Sequence, residues 1–240
     1  DTIDPLLNAR VMALAGRVRA ARAAGQALLA PVVDLVPTFR SLTLHVDPER
    51  ADAQALPAWL RDQARAVAAD PAPAAAATGR RWCLPACFDE DLAPDLATVA
   101  QAKGLRVDAL VARLLAVRFH VYVIGFMPGF PYMGGLPPAL ATPRRATPRQ
   151  RVPANSLAVA DTLCSVYPWE SPGGWHLLGR TPLRLFDLAR AEQPAWLAAG
   201  DTVRWQPVDR AAFEQLAAEA EAGRLAREQF LAAETEETAE

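Results

Sequence analysis

The sequence predicts an α+β protein: a small α/β domain over residues 1–78, a β-barrel domain over 79–209, and a C-terminal helix with an acidic tail over 210–240. Three observations carry this reading. The first 70 residues alternate two helix-periodic stretches with two short β-branched runs. Asp70-Pro-Ala-Pro-Ala-Ala-Ala-Ala-Thr-Gly79 then has no periodicity and reads as a linker. From Phe119 onward, short apolar runs are punctuated by glycine and proline, the pattern of a barrel or sandwich.

Taken in order, Leu6 to Leu28 place Leu6, Val11, Leu14, Val18 and Ala21 at helical spacing, with Asp4-Pro5 as the start signal. Val32 to Val36 and Ser41 to Val46 read as strands joined through Pro37-Thr-Phe-Arg40. Pro48 to Ala69 reads as a second helix with Leu56, Trp59, Leu60 and Val67 on one face. With one more strand in front, this order fits a β-α-β-β-α-β ferredoxin-like unit.

Beyond the linker, Arg81 to Cys87 is expected as a strand, and Ala93 to Lys103 and Val107 to Val117 as short helices separated at Gly104. Strands are expected at Phe119–Phe126, Ser156–Ala160, Trp175–Gly179, Leu183–Phe186 and Thr202–Gln206, and a last helix over Ala211–Ala232. The tail Glu234-Thr-Glu-Glu-Thr-Ala-Glu240 is too acidic and apolar-poor to pack, so disorder is expected there.

Composition narrows function. The chain is 52% hydrophobic and 22% charged, ordinary for a folded domain, and its formal charge of −2 gives no reason to expect nucleic acid. Charged residues interrupt every apolar stretch before the roughly 20 residues a membrane span needs, and no secretory leader is visible. Three cysteines do not make a disulfide framework, so reduced thiols and a cytoplasmic setting are expected. Lys103 is the sole lysine, which removes a biotin-carrying lysine, a Schiff base set and a Gly-Lys-Ser/Thr phosphate loop.

The chemistry concentrates between Ile124 and Asp187. This stretch reads Ile124-Gly-Phe-Met-Pro-Gly-Phe-Pro-Tyr-Met-Gly-Gly135, Ala141-Thr-Pro-Arg-Arg145, Pro148-Arg-Gln-Arg-Val-Pro153, Val166-Tyr-Pro-Trp-Glu-Ser-Pro-Gly-Gly-Trp175 and Leu178-Gly-Arg-Thr-Pro182. Glycine permits torsions and close approaches, proline fixes φ, and rigid loops on a scaffold are where sites are built. These motifs, with Val33-Asp-Leu-Val-Pro-Thr38, Pro85-Ala-Cys87 and Pro94-Asp-Leu96, resemble the family of the B-type 5-oxoprolinase subunits. That family includes a Kip-type histidine-kinase inhibitor, allophanate hydrolase subunit 1 and half of the carboxyltransferase region of urea carboxylase (subdomains C and D). The resemblance covers nearly the whole chain. It implies a cyclophilin-like barrel for the second domain, and a strand preceding the first helix that the start at Asp1 would have trimmed away.

It further implies a non-autonomous subunit of an ATP-dependent 5-oxoprolinase, opening 5-oxoproline to L-glutamate. Partners would be a homologous second subunit and a third. ATP would be shared with them, and no biotin would be carried on this chain. The same resemblance leaves open a carboxyltransferase half-site acting on urea or an amide, and a Kip-like inhibitor of a sensor kinase.

Among site candidates, Arg144, Arg145, Arg149 and Arg151 share one proline-bounded loop, and Arg180 sits in a Gly-Arg-Thr-Pro turn. Guanidinium groups grip carboxylates and phosphates and stay charged, though each arginine is about as well explained as a solvated or bracing residue. Arg149 and Arg180 match the family motif. Tyr167 could orient or protonate a carbonyl, Ser171 and the Gly173-Gly174 backbone could bind an oxyanion, and His176 is the histidine nearest these loops. We therefore expect Tyr167, Ser171 and Arg180 as catalytic, and Arg149, Arg144, Gly173, Gly174 and His176 as substrate-binding. The alternative for the turn is a cover of Tyr and Trp over the barrel end. No metal set is expected, since Cys83, Cys87 and Cys164 lack zinc-type spacing; Cys164, in an expected loop, is either a reactive thiol or buried. Departures from the family's usual pattern are Leu163-Cys164-Ser165 in place of Gln-Thr-Gly, Asn155 in place of glycine, and Asp89-Glu90 in place of Gly-Gly.

Overall fold

The computed structural model describes residues 3–70, 79–190 and 193–232. The linker residues 71–78 and the acidic tail from 233 lie outside the described residues. The chain separates between Gly79 and Arg80 into two compact units.

In the first unit, helix α1 (Pro5–Ala23) starts where Asp4 accepts the Leu6 and Leu7 amides at 2.9 and 3.2 Å. Its buried residues Asn8, Val11, Ala15 and Val18 recur every three or four positions. Gly25, at φ +75, ends the run several residues before Leu28, which falls in a following 3₁₀ turn. Strands β1 (Val32–Pro37) and β2 (Leu42–Val46) pair antiparallel, and fully buried Asn8 donates to Thr38 O at 2.9 Å, tying α1 to their connecting turn. Helix α2 (Ala55–Ala69) begins later than Pro48 because Asp52 accepts the amides of Gln54 and Ala55 at 2.9 and 2.8 Å. The described order is thus α-β-β-α around Val18, Leu29, Val32 and Leu56.

The second unit holds β3 (Arg81–Ala86), α3 (Leu96–Ala102), α4 (Val107–Leu115), β4 (Phe119–Ile124), β5 (Pro131–Gly134), β6 (Arg149–Val152), β7 (Ser156–Ala160), β8 (Leu163–Tyr167), β9 (Ser171–Gly173), β10 (His176–Arg180), β11 (Thr202–Pro207) and α5 (Arg210–Glu221). Seven strands form one mixed sheet in the order β10-β7-β8-β5-β4-β11-β3, in which β11 and β3 alone run parallel. The sheet curls until its ends meet: Cys87 N–H donates to Arg180 O at 2.8 Å and Arg180 N–H donates to Cys87 O at 2.9 Å. Near-closure removes most of the open edges a seven-stranded sheet would expose. At the β11 end, the buried Asp201 carboxylate accepts from Arg80 N, Trp82 Nε1 and Ala198 N at 2.8 to 2.9 Å, fixing β11 against β3.

The strands β7, β8 and β10 are apolar on both faces. Leu157, Val159, Cys164, Val166 and Leu178 point into the main core, while Ala158, Ala160, Tyr167 and Leu177 meet Phe130, Val152 and Trp175 on the other face. The short β6-β9 ribbon covers that second face. Two expectations need correction. Leu183–Phe186 is irregular rather than a strand, with one isolated bridge from Phe186 to Ala195. The final helix stops at Glu221, because Gly223 turns the chain at φ +68, and a 3₁₀ turn at Arg227–Phe230 follows.

Closure demands a close approach that Gly179 permits: a Cβ there would lie 3.0 Å from Cys87 O and 3.1 Å from Phe88 Cδ1. Gly179→Ala should therefore destabilise the fold by about 1–3 kcal/mol, as overpacked sites do, read as a lower urea midpoint at unchanged m-value.

Candidate functional site

Asp95 organises the polar end of the barrel. It sits at the start of α3 in a cap position, yet its side chain makes no capping bond there. Instead its carboxylate, 7% exposed, takes both terminal nitrogens of Arg149 at 2.7 and 2.8 Å and Arg145 Nη1 at 3.0 Å. It also accepts Leu177 N–H at 2.7 Å, while Asp95 N–H donates to Leu177 O at 3.1 Å. Burial pushes the Asp95 carboxyl up, but the Arg149 hydrogen bonds, the Leu177 amide and the charges of Arg149 and Arg145 outweigh it and hold the group below the usual carboxylate range.

Beside this cluster lies a cleft of about 210 Å³ walled by Arg149, Arg151, Arg180, Asp91, Pro153 and Leu177. Arg180 extends from the last position of β10, at the closure point, and its Nε donates to Ala154 O at 2.9 Å. Burial pulls its guanidinium below the ordinary value, and the charge of Asp91 opposes that shift. Arg151 stands at the exposed rim, 3.1 Å from the Glu170 carboxylate.

The remaining candidates gather on the aromatic face. Tyr167, 2% exposed, faces inward among Phe130 and Trp175, with ring centroids 5.1 Å apart for Phe130–Tyr167 and 5.8 Å for Phe130–Trp175. Burial raises the Tyr167 phenol, and the Trp175 backbone hydrogen-bonds its oxygen. A Cβ on Gly173 would run into that phenol oxygen, so Gly173 is required by packing. Gly174 O accepts Arg145 N–H at 2.8 Å, Arg144 lies over the Trp175 ring at 5.8 Å, and His176 Nε2 is 3.0 Å from Pro143 O. Ser171 pairs with Val152 in the β6-β9 ribbon, and its Oγ is buried without a hydrogen-bond partner. Arg149 and Arg180 thus share a cleft, whereas Ser171 and Gly173 belong to the β6-β9 ribbon, Tyr167 lies in the aromatic layer behind it, and Arg144, Gly174 and His176 are engaged by Trp175, Arg145 and Pro143.

The altered segment Leu163-Cys164-Ser165 lies in β8, with Cys164 and Ser165 fully buried and Leu163 packed toward the aromatic cluster. Burial drives the Cys164 thiol up to about 12, which removes the reactive-thiol alternative. Asn155 takes the left-handed conformation, φ 63, that the usual glycine would supply, and Asp89 accepts from Arg210 Nε at 3.1 Å. Sequence reasoning does not single out Asp95 as a site residue, although its Pro94-Asp-Leu96 motif is visible. A larger cleft of about 700 Å³ beside α4 is mainly apolar, and its Arg106 is engaged with Asp108 at 2.8 Å. Among the described residues no group of three His, Cys, Asp or Glu side chains could hold a metal, and no helix is long and apolar enough to cross a membrane.

The carboxyltransferase domain, subdomain C and D, is the family whose model matches, over residues 1–197. The chain belongs to this family. Within it, the B-type 5-oxoprolinase subunit of Escherichia coli O157:H7 is 38% identical over 177 residues, 73% of this chain and 78% of that protein. The crystal structure of TTHA0988 aligns with a TM-score of 0.72 at 34% identity, covering 87% of this chain; this chain spans 38% of that longer protein. The urea carboxylase of Kluyveromyces lactis aligns with a TM-score of 0.72 over 93% of this chain and 21% of its own, at 18% identity, a likeness of fold alone. The α+β class and the family expected from the motifs both hold.

Two outcomes follow for this carboxyltransferase-family domain. Asp95 has a lower carboxyl pKa folded than unfolded, so its stabilisation is complete above the unfolded value of about 4 and fades as pH falls through the folded one. Asp95→Asn should cost about 3–5 kcal/mol at pH 7, as loss of one buried ionic partner does, and should flatten the acid limb of a melting-temperature profile below about pH 4. Thiol titration of the folded chain should show fast reaction at half-buried Cys83 and slow reaction at buried Cys87 and Cys164.

Proposed function

We propose that this chain is a subunit of an ATP-dependent 5-oxoprolinase that opens 5-oxoproline to L-glutamate together with partner subunits. The observation that supports this most directly is the 38% identity to a B-type 5-oxoprolinase subunit over 78% of that protein. In the reaction, water adds to the lactam carbonyl, the C–N bond breaks, and the ring nitrogen takes up a proton to become the amine of glutamate. An unstrained lactam resists this, which is the reason to couple it to ATP.

Among the described residues, the arginine cleft does not fit a nucleotide. The chain has no Gly-Lys-Ser/Thr loop, and Lys103 donates to Ala141 O. The arginine cleft, at about 210 Å³, falls below the roughly 300–1,000 Å³ of pockets that hold drug-sized ligands. We assign ATP to the partner subunits, with this chain contributing cationic and backbone groups. His176 is bonded to a backbone carbonyl and Tyr167 is locked in packing, so neither is set up to act as a base without its partners. The alternative of carboxyl transfer from a biotinylated partner has the carboxyltransferase-domain family and a fold likeness at 18% identity behind it, whereas the 38% identical relative is a 5-oxoprolinase subunit.

Reconstitution tests the reading. The chain alone should form no glutamate from 5-oxoproline and ATP, whereas the chain with its partner subunits should, without sensitivity to avidin. An assembled complex that makes no glutamate, or one whose turnover avidin abolishes, would overturn it.

A further inference from the structure

Arg180 differs from Arg145, Arg149, Arg151 and Arg210 in having no carboxylate within ion-pair distance; Asp91, whose charge it feels, is paired with Arg210. Arg149 and Arg145 share Asp95, Arg151 meets Glu170, and Arg210 meets Asp89 and Asp91. Arg180 Nε is held by Ala154 O, and no carboxylate among the described residues lies within ion-pair distance of its guanidinium. The side chain is half-buried, at the foot of a concave cleft. A guanidinium does not escape its charge by losing a proton, so a partly desolvated one with no carboxylate at ion-pair distance is stabilised when an anion arrives. With Nε fixed, both terminal nitrogens remain to grip one anion bidentately.

The neighbouring charges strengthen this. Asp95 carries one negative charge between two arginines, so the Arg145-Asp95-Arg149 cluster is itself net positive. Asp91 is engaged by Arg210. The exposed Arg151–Glu170 pair, with side chains 82% and 55% exposed, is of the weak kind that exchanges partners readily. The rest of the wall is the apolar Leu92, Pro94, Pro153 and Leu177 together with Ser156, whose hydroxyl donates to Pro153 O at 2.7 Å. The cleft therefore suits a compact, mostly apolar molecule with an anionic oxygen group at one end, and is too small for a nucleotide.

We propose that this cleft is a carboxylate-binding subsite in which the Arg180 terminal nitrogens hold the carboxylate of a small cyclic substrate and Arg151 closes over it from the rim. That the substrate is 5-oxoproline rests on the function proposed above; the carboxylate chemistry does not. Arg149, fixed by Asp95, serves as a positioning wall. Anchoring the substrate by its carboxylate leaves the lactam bond to be attacked by groups outside the cleft, consistent with a chain that needs partners.

The test titrates the folded chain calorimetrically with 5-oxoproline, 2-pyrrolidinone (the same lactam without the carboxylate) and inorganic phosphate. 5-Oxoproline should bind, and 2-pyrrolidinone should bind at least about tenfold more weakly, the scale of one charge-assisted hydrogen bond. Arg180→Gln should weaken 5-oxoproline about 10- to 100-fold, Arg151→Gln several-fold, and Arg65→Gln not at all. Because Arg180 also braces Ala154, its ¹⁵Nε–H signal in the wild-type chain is followed as well and should shift on adding 5-oxoproline. Equal binding of the two lactams, an unmoved Arg180 signal, or no binding by the wild-type chain would overturn the subsite. Arg180-dependent binding of phosphate tighter than that of 5-oxoproline would replace the carboxylate by a phosphate. In the assembled complex, Arg180→Gln should raise the KM for 5-oxoproline and leave that for ATP unchanged. A complex without glutamate formation, in which this chain still binds 5-oxoproline through Arg180, would remove the proposed function and keep the subsite. Full turnover with an unchanged KM in Arg180→Gln would do the reverse.

Discussion

The barrel end depends on one buried carboxylate. Asp95 exchanges two hydrogen bonds with Leu177, so the backbone of edge strand β10 is partly satisfied by the start of α3. The same carboxylate draws in Arg149 and Arg145, which come from the proline-bounded segment leading into the β6-β9 ribbon. One group thus joins a helix start, a sheet edge and a covering ribbon. Removing it would leave two guanidinium groups and an edge amide facing each other without an anion. Such a loss costs far more than an exposed pair like Arg106–Asp108 could, because solvent screens the exposed pair freely and reaches the Asp95 carboxylate, 7% exposed, very little.

Most elements are legible from periodicity. β7 falls at Ser156–Ala160 as read, and α1, β1, β2, β3 and β11 differ from the reading only near their ends. The failures share a cause, which is that tertiary context overrides the local signal. β8 is hidden in the sequence because Leu163-Cys-Ser-Val-Tyr167 shows no alternation, and a strand buried on both faces needs none. β5, β6 and β9 are three or four residues long and carry Pro or Gly or several charges, so only their partners define them. Leu183–Phe186 has strand composition yet finds one isolated bridge. Its aromatic is committed elsewhere, with Phe186 packed against Trp169 at 5.3 Å and against Gly129.

The site is legible as a set of residues and not as an arrangement. Arg149 and Arg180 both stand out, but sequence does not say which arginine has an acid beside it. That is decided by Asp95, 54 positions before Arg149 and brought to it by the barrel. The residues expected as acids and donors on the aromatic face suit that chemistry, and the fold uses them first for packing. Tyr167 fills the space that Gly173 leaves open, and Trp175 receives Arg144 on its face. A tyrosine two residues before Trp169 and eight before Trp175 gives no sign in sequence of facing inward; the register Ser156↔Tyr167 in β8 settles it.

The departures at residues 163–165 bear on the same division. They fall within β8, where Cys164 joins the main core and Leu163 the aromatic layer, and not on the wall of the arginine cleft. An amide replaced there by Leu163 exchanges a polar contact for apolar packing, a change that acts on the layer behind the ribbon. Arg180, by contrast, emerges where the sheet closes, on a backbone fixed by reciprocal bonds to Cys87. A binding group loses less entropy on capturing its ligand when its backbone is already immobile. The closure point therefore does two things at once: it joins the two ends of the sheet, and it holds in a fixed place a positive charge that no carboxylate pairs. The departures at residues 163–165 lie off the cleft wall, whereas Gly179, which lets the two strand ends approach, adjoins Arg180.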